Sequence, residues 1–360
     1  MHLREPVNRY CPGVLLLTEF EHYFLTDRKL ERSGKYSNKS SGLGSLNFGK
    51  IRKEAGGPLN FISLPSYRQL FEELEEKFLQ GYELLIFVHG YSHSFNKLLG
   101  SAERLHRLYG GDKFVILVYS WPSLGLPAFY AADRKAAEES ARNFAIFLAD
   151  LKNYAKTARS ESRFLERINL VAVSMGNYLL DLALKELVLD SNALADALLD
   201  ASDKVANGQS GSEKSGKNKV FNEIVHMAAD LDENSEQLYS LDSGFARRVH
   251  IYGNKTDVLL SISTGIHRRK RLGLKPDPLH FGEYLSKSRN PLKPDETDLH
   301  LVDTTAVSIR QFFSPSTFSI EELSYSTLHN YMFRVDSVIQ DLRMVLQHQP
   351  FEADFRKLTY

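Results

Sequence analysis

The sequence predicts an α/β fold, with a predominantly parallel central sheet and helices on both faces. Two observations carry that prediction: short unbroken apolar runs recur along the chain, and amphipathic helical patterns lie between them. A strand buried on both faces of a parallel sheet has no solvent side, so its apolar residues run on without alternation. Strand–helix alternation builds such a sheet, because each crossover helix is laid on one of its faces.

Residues 83–88, 114–119, 168–173, 223–229, 249–252 and 299–302 read as strands. Each closes on a polar or turn-forming residue: His89-Gly90, Ser120-Trp121-Pro122, Ser174, Asp230, Gly253-Asn254 and Asp303. Residues 67–79 read as a helix with Leu70, Phe71, Leu74 and Phe78 on one side. Residues 131–151 follow the same rule through Phe144, Phe147, Leu148 and Leu151, and 176–189 through Leu179, Leu180, Ala183 and Leu187. Residues 330–346 read as the last helix, with Val335, Val338, Ile339, Leu342 and Val345 as its stripe. Residues 32–57 are polar and Gly-rich and read as a loop. Residues 203–219, almost without apolar side chains, read as a flexible surface insertion. The chain is expected to form one domain, in which residues 1–80 add an N-terminal extension and the first strands to a core over 81–360.

Composition excludes several classes. With 42% hydrophobic and 25% charged residues in 360, the chain is neither wholly disordered nor fibrous. Lys+Arg and Asp+Glu number 45 each, and a net charge of zero argues against a nucleic-acid partner. The single cysteine, Cys11, can form neither an internal disulfide nor a Cys-based zinc site. No apolar run approaches the roughly 18 residues of a membrane helix. Glu19 and Glu21 follow the apolar Val14–Leu17 at once, without a small-residue cleavage site, so no signal peptide is expected. A soluble cytoplasmic protein is the expectation.

The sharpest chemical feature is Ala172-Val173-Ser174-Met175-Gly176, where a strand turns into a helix. A serine at such a corner projects its hydroxyl clear of the backbone if its neighbours are small, and alanine here takes the place of the usual first glycine. The helix start behind it offers unpaired N–H groups and a positive dipole end. Helix capping is the ordinary role of serine at this position. A second feature, His89-Gly90-Tyr91, closes the strand over 83–88, and its glycine permits close backbone approach. The main-chain N–H groups of Tyr91 and Met175 are the expected oxyanion-hole donors.

A nucleophilic serine needs a base, and the base needs an orienting acid. In the chain order Ser, acid, His, Asp257 follows the run at 249–252, with Asp232 as the reserve acid. Among the later histidines, His267, His280, His300 and His329, His300 lies inside a strand, whereas His329 lies after the last strand and before the C-terminal helix. The expected catalytic set is Ser174, Asp257 and His329. The other roles of these two residues are a turn aspartate and a loop histidine. His89, Tyr91 and His93 read as satisfied polar side chains rather than metal ligands, and no metal or cofactor is expected. No Gly-rich phosphate loop is present. The lone Trp121 reads as packing. The basic run His267-Arg268-Arg269-Lys270-Arg271 reads as a solvated turn, with an anion clamp as the sharper alternative.

Several of these pieces together resemble the bacterial α/β-hydrolase family catalogued as domain of unknown function nine hundred. They are Phe24-Leu25-Thr26-Asp27-Arg28, Val88-His89-Gly90-Tyr91, Ser120-Trp121-Pro122-Ser123, Tyr130 with Asp133, Ser174-Met175-Gly176-Asn177, and Asp257, in the family's order. Two departures are Val173, where members often have histidine, and Ser92-His93, which fills a stretch where the family tends to place an asparagine. The resemblance implies the α/β-hydrolase fold and a Ser-Asp-His hydrolase site. The expectation is a serine hydrolase acting on a small-molecule ester or lipid-like substrate. The rival is a catalytically silent scaffold of the same fold that binds a partner or an anionic ligand.

Overall fold

The computed structural model describes residues 19–110, 113–124, 129–202, 219–233, 245–274, 278, 298–312, 328–351 and 355–359, so Cys11, His280 and the insertion at 203–218 fall outside it. Its strands are β1 (Phe20–Thr26), β2 (Arg28–Leu30), β3 (Tyr36–Ser40), β4 (Asn47–Lys53), β5 (Leu59–Ser63), β6 (Glu83–Val88), β7 (Phe114–Ser120), β8 (Ile168–Val173), β9 (Phe221–Met227), β10 (Ala246–Gly253), β11 (Asp298–Asp303) and β12 (Phe355–Lys357). The helices are α1 (Tyr67–Leu79), α2 (Phe95–Leu105), α3 (Tyr130–Ala155), α4 (Met175–Ser202), α5 (Val258–His267), α6 (Thr305–Phe312) and α7 (Asp336–Leu346).

One sheet of 10 strands runs in the order β12-β11-β10-β9-β8-β6-β7-β1-β4-β5, and all neighbours from β12 to β1 are parallel. The β4 and β5 strands add an antiparallel edge beside β1. The expected mostly parallel sheet is therefore present, and this is the α/β-hydrolase architecture.

The apolar runs are buried on both faces, and β6 shows how. Leu84, Ile86 and Val88 enter one core with α1, α3 and α4, whereas Leu85 and Phe87 enter the opposite core with α2 and α7. Successive side chains of a strand point to opposite faces, so each residue from Leu84 to Val88 needs an apolar partner. Helix starts are set locally: Ser66 Oγ accepts from the Gln69 amide at 3.2 Å, and Ser94 Oγ from that of Lys97 at 3.3 Å.

Two expectations are corrected. Residues 32–57 are not a loop, because the whole of β3 and β4 lies there. The helix expected over 330–346 begins only at Asp336; Tyr331–Phe333 form a short 3-10 turn and Val335 is extended. Trp121 is fully buried, stacked on His89 with ring centroids 5.0 Å apart. His300 is buried and stacked on His250 at 4.8 Å. No described helix is long and apolar enough to cross a membrane.

Candidate active site

Ser174 joins β8 to α4 with φ at +53°, in the left-handed region that a side chain with a Cβ occupies only under constraint. The constraint is visible on both of its peptide groups. Its amide donates to the Met227 carbonyl at 2.9 Å; its carbonyl accepts from the Asn177 and Asp230 amides at 3.0 and 3.2 Å and from Asn177 Nδ2 at 3.1 Å. Glycines let the neighbouring backbone close in. A Cβ on Gly176 would stand 2.6 Å from the His89 carbonyl oxygen, and one on Gly90 would stand 2.9 Å from Ser174 Cβ. Those separations allow no side chain, so the turn after β6 lies directly against the serine corner.

The expected acid and base meet. Asp257 caps α5: its Oδ1 accepts from the Leu260 amide at 3.1 Å, and its Oδ2 lies 2.6 Å from His329 Nδ1. That contact assigns the Nδ1 proton and leaves the lone pair on Nε2, which is buried and has no hydrogen-bond partner among the described residues, Ser174 included. Burial pulls the His329 pKa down, but the charge and hydrogen bond of Asp257, with the charge of Asp230, outweigh it and hold the imidazole above its ordinary value.

Further bonds tie this histidine to the serine corner. Asn254 Nδ2 donates to the Leu328 carbonyl at 2.7 Å. The Tyr331 hydroxyl accepts from the Ala228 amide at 2.8 Å and donates to the Tyr252 carbonyl at 2.9 Å. Ala228 directly follows Met227, whose carbonyl takes the Ser174 amide. The histidine, the acid and the serine are thus anchored to one set of strand ends. The reserve acid, Asp232, is engaged elsewhere, on Arg269 at 2.9 Å.

The two expected oxyanion donors flank the same corner. Met175 is the first residue of α4, where helix amides lack intrahelical acceptors. Tyr91 follows Gly90, and its half-buried ring meets Tyr130 edge-on at 5.7 Å. Burial, then the charges of Asp230, Asp133 and Asp257, keep the Tyr91 phenol protonated.

One cluster beside the corner was not anticipated. Buried Asp230 accepts from Ser263 at 2.6 Å and from Tyr130 at 2.5 Å, and pairs with Arg271 at 3.3 Å. The Tyr130 hydroxyl also lies 3.1 Å from His267 Nε2. The basic run at 267–271 departs from a solvated turn at one residue: Arg271 is buried on Asp230, while Arg268, Arg269 and Lys270 stay exposed, the last two beside Asp232 and Glu233. Clustered charge in the sequence suggested solvent, but Arg269, Lys270 and Arg271 each have a carboxylate across the bridge joining Arg271 to Asp232. No group of three His, Cys, Asp or Glu among the described residues is arranged to hold a metal.

Comparison with curated proteins finds no match. Comparison with protein families matches residues 68–319 to the family described as alpha/beta hydrolase of unknown function (DUF900). That span takes in β6 to β11, the serine corner and Asp257, and the chain belongs to this α/β-hydrolase family.

Proposed function

We propose that the chain is a serine hydrolase that cleaves carboxylic esters through an acyl-enzyme. The observation that carries the reading is the 2.6 Å contact between Asp257 and His329, which leaves Nε2 without a hydrogen-bond partner among the described residues, on a loop tied to the strand ends that also hold a strained serine. In the first step His329 Nε2 takes the Ser174 hydroxyl proton as Oγ forms a bond to the ester carbonyl carbon. The carbonyl oxygen becomes an oxyanion, held by the Tyr91 and Met175 amides. Collapse breaks the ester C–O bond, and the imidazolium returns the proton to the departing alcohol. A water, deprotonated by the same nitrogen, then attacks the acyl-enzyme and regenerates Ser174. Asp257 keeps Nδ1 protonated throughout and stabilises the imidazolium.

The test is labelling with a fluorophosphonate, beside a panel of p-nitrophenyl esters of increasing acyl length. Wild type is expected to label and turn over, and Ser174→Ala to lose at least ~10³-fold in kcat with its melting temperature preserved. A folded Ser174→Ala variant with wild-type turnover would overturn the assignment. The His329 environment adds a pH signature. The base works only when neutral, so kcat/KM should fall as pH drops through a pKa above the ordinary histidine value.

A further inference from the structure

The turn that carries Tyr91 is held by buried charges that the reaction itself does not use. It runs from His89 to Ser94, between β6 and α2. Ser92 lies at φ +60°, a second left-handed non-glycine residue beside the serine corner. Its amide donates to Asp133 Oδ2 at 3.1 Å. The next amide, of His93, donates to Ser123 Oγ at 3.2 Å, and that hydroxyl donates to the same Asp133 oxygen at 2.5 Å. Asp133 Oδ1 meanwhile takes the Leu124 amide at 2.7 Å. The His93 carbonyl accepts from Arg28 Nη2 at 2.6 Å.

Arg28 is itself fixed along its whole guanidinium. Its Nε donates to Ser120 Oγ at 2.8 Å, and its Nη1 to Asn38 Oδ1 at 2.6 Å and to the Ser123 carbonyl at 3.3 Å. Both Arg28 and Asp133 are 0% exposed. Burying two such groups is expensive, and apolar residues of similar volume often stabilise a fold as well or better. What apolar residues cannot do is grip a peptide by its amide and its carbonyl. Charge-assisted hydrogen bonds of this kind are short and directional, and a strained turn persists only when its surroundings over-determine it.

We infer that Arg28 and Asp133, with Ser123 between them, are positioning residues that aim the Tyr91 amide at the developing oxyanion. The inference rests on the serine-hydrolase reading and adds to it the source of the hole's geometry. An oxyanion donor works over a range of only a few tenths of an ångström, and losing one costs about 10²–10³ in kcat. None of the three side chains is proposed to touch substrate, so loosening them should slow the chemical step and leave binding nearly intact.

The experiment compares wild type with Asp133→Asn, Arg28→Lys and the milder Ser123→Ala, the last guarding against variants that fail to fold. Three readouts are taken. Amide hydrogen exchange over 89–94 should rise in each variant, with β6 and β8 unchanged. On an ester that wild type turns over, kcat should fall about 10–10²-fold with KM within about threefold. The preference for an ester over its thionoester analogue, which reports the fit of oxygen in the hole, should shrink by a similar factor. A purely structural role would lower the melting temperature without moving that preference. Folded variants with a loosened turn but wild-type kcat and ester preference would overturn the inference and leave the Ser174 assignment intact. Unchanged exchange over 89–94 would overturn it too. Turnover surviving in Ser174→Ala would instead strike the underlying reading.

Discussion

Asp257 divides one carboxylate between two tasks: one oxygen caps α5 and the other holds His329. The division makes the tasks separable. Asparagine retains a carbonyl oxygen for the cap but presents no charge to the imidazole. Asp257→Asn is therefore expected to lower kcat by about 10⁴-fold while shifting stability little. Asp257→Ala should lose the same activity and about 1 kcal/mol besides, from the vacated cap. Rate measurements paired with thermal melts of the two variants check this. If Asp257→Asn keeps near-wild-type turnover, another group orients the base. The serine corner could be read from the sequence because its whole signal is contiguous: an apolar run, small residues, then a helix. Asp257 and His329 were paired from chain order and their places after the strand runs, and the structure puts them in contact. Asp230, in contrast, hides its surroundings. Its partners Tyr130, Ser263 and Arg271 lie far off along the chain, and nothing in their spacing joins them to Asp230.

Among the elements, those with one-sided or two-sided apolar signals came through best. The α1 helix and the β6 and β8 strands occupy the residues their patterns predict. The N-terminal strands did not come through, and β4 explains why. In Asn47–Lys53 only Phe48, Gly49 and Ile51 are buried, so one glycine sits where an inward apolar residue would have revealed a strand. Packing demands that glycine. A Cβ at Gly49 would stand 2.1 Å from the Ile62 carbonyl oxygen on β5 and 2.7 Å from the Phe24 ring on β1. Gly49→Ala should consequently destabilise the antiparallel edge by roughly 1–3 kcal/mol, the usual range for overpacking. The chemistry, several strands away, should be untouched in the molecules that remain folded. A denaturant titration and an active-site-normalised rate measure the two effects separately; a neutral Gly49→Ala would mean the edge relaxes freely.

Across the whole molecule, the segment that leaves α7 is tied to the sheet by a shared proton. His348, just beyond α7, places Nε2 2.8 Å from Glu83 on β6 and Nδ1 3.0 Å from Glu223 on β9. Burial opposes its charge, but the hydrogen bonds and charges of the two carboxylates raise its pKa to about 9. Glu223 also binds Arg248 and His250 and is itself lowered to about 2, burial being outweighed by these partners. A histidine raised in the folded state adds stability that is complete below its unfolded pKa and vanishes as pH climbs through the folded one. The melting-temperature gap between wild type and His348→Gln should therefore be greatest below pH ~6.5, roughly 1–2 °C for each 1 kcal/mol in a chain of this length, and close by pH ~9. A gap that is flat across that range would show that His348 is uncharged in the fold. None of this could be read from the sequence, because residues 83, 223 and 348 meet only after the sheet has formed.

The order of the strands also sets a timetable. Ser174, its strand β8 and the turn bearing Tyr91 precede His329 by more than 150 residues. The sheet adds β9 to β12 on the far side of β8, so the proposed nucleophile sits near the middle while its proposed base arrives from residues made much later. During synthesis the serine corner can be assembled on the ribosome well before His329 is present to take its proton. In the proposed mechanism a nascent or truncated chain that stops short of His329 therefore harbours a chemically inert serine, and reactivity switches on once that residue is in place rather than growing with length.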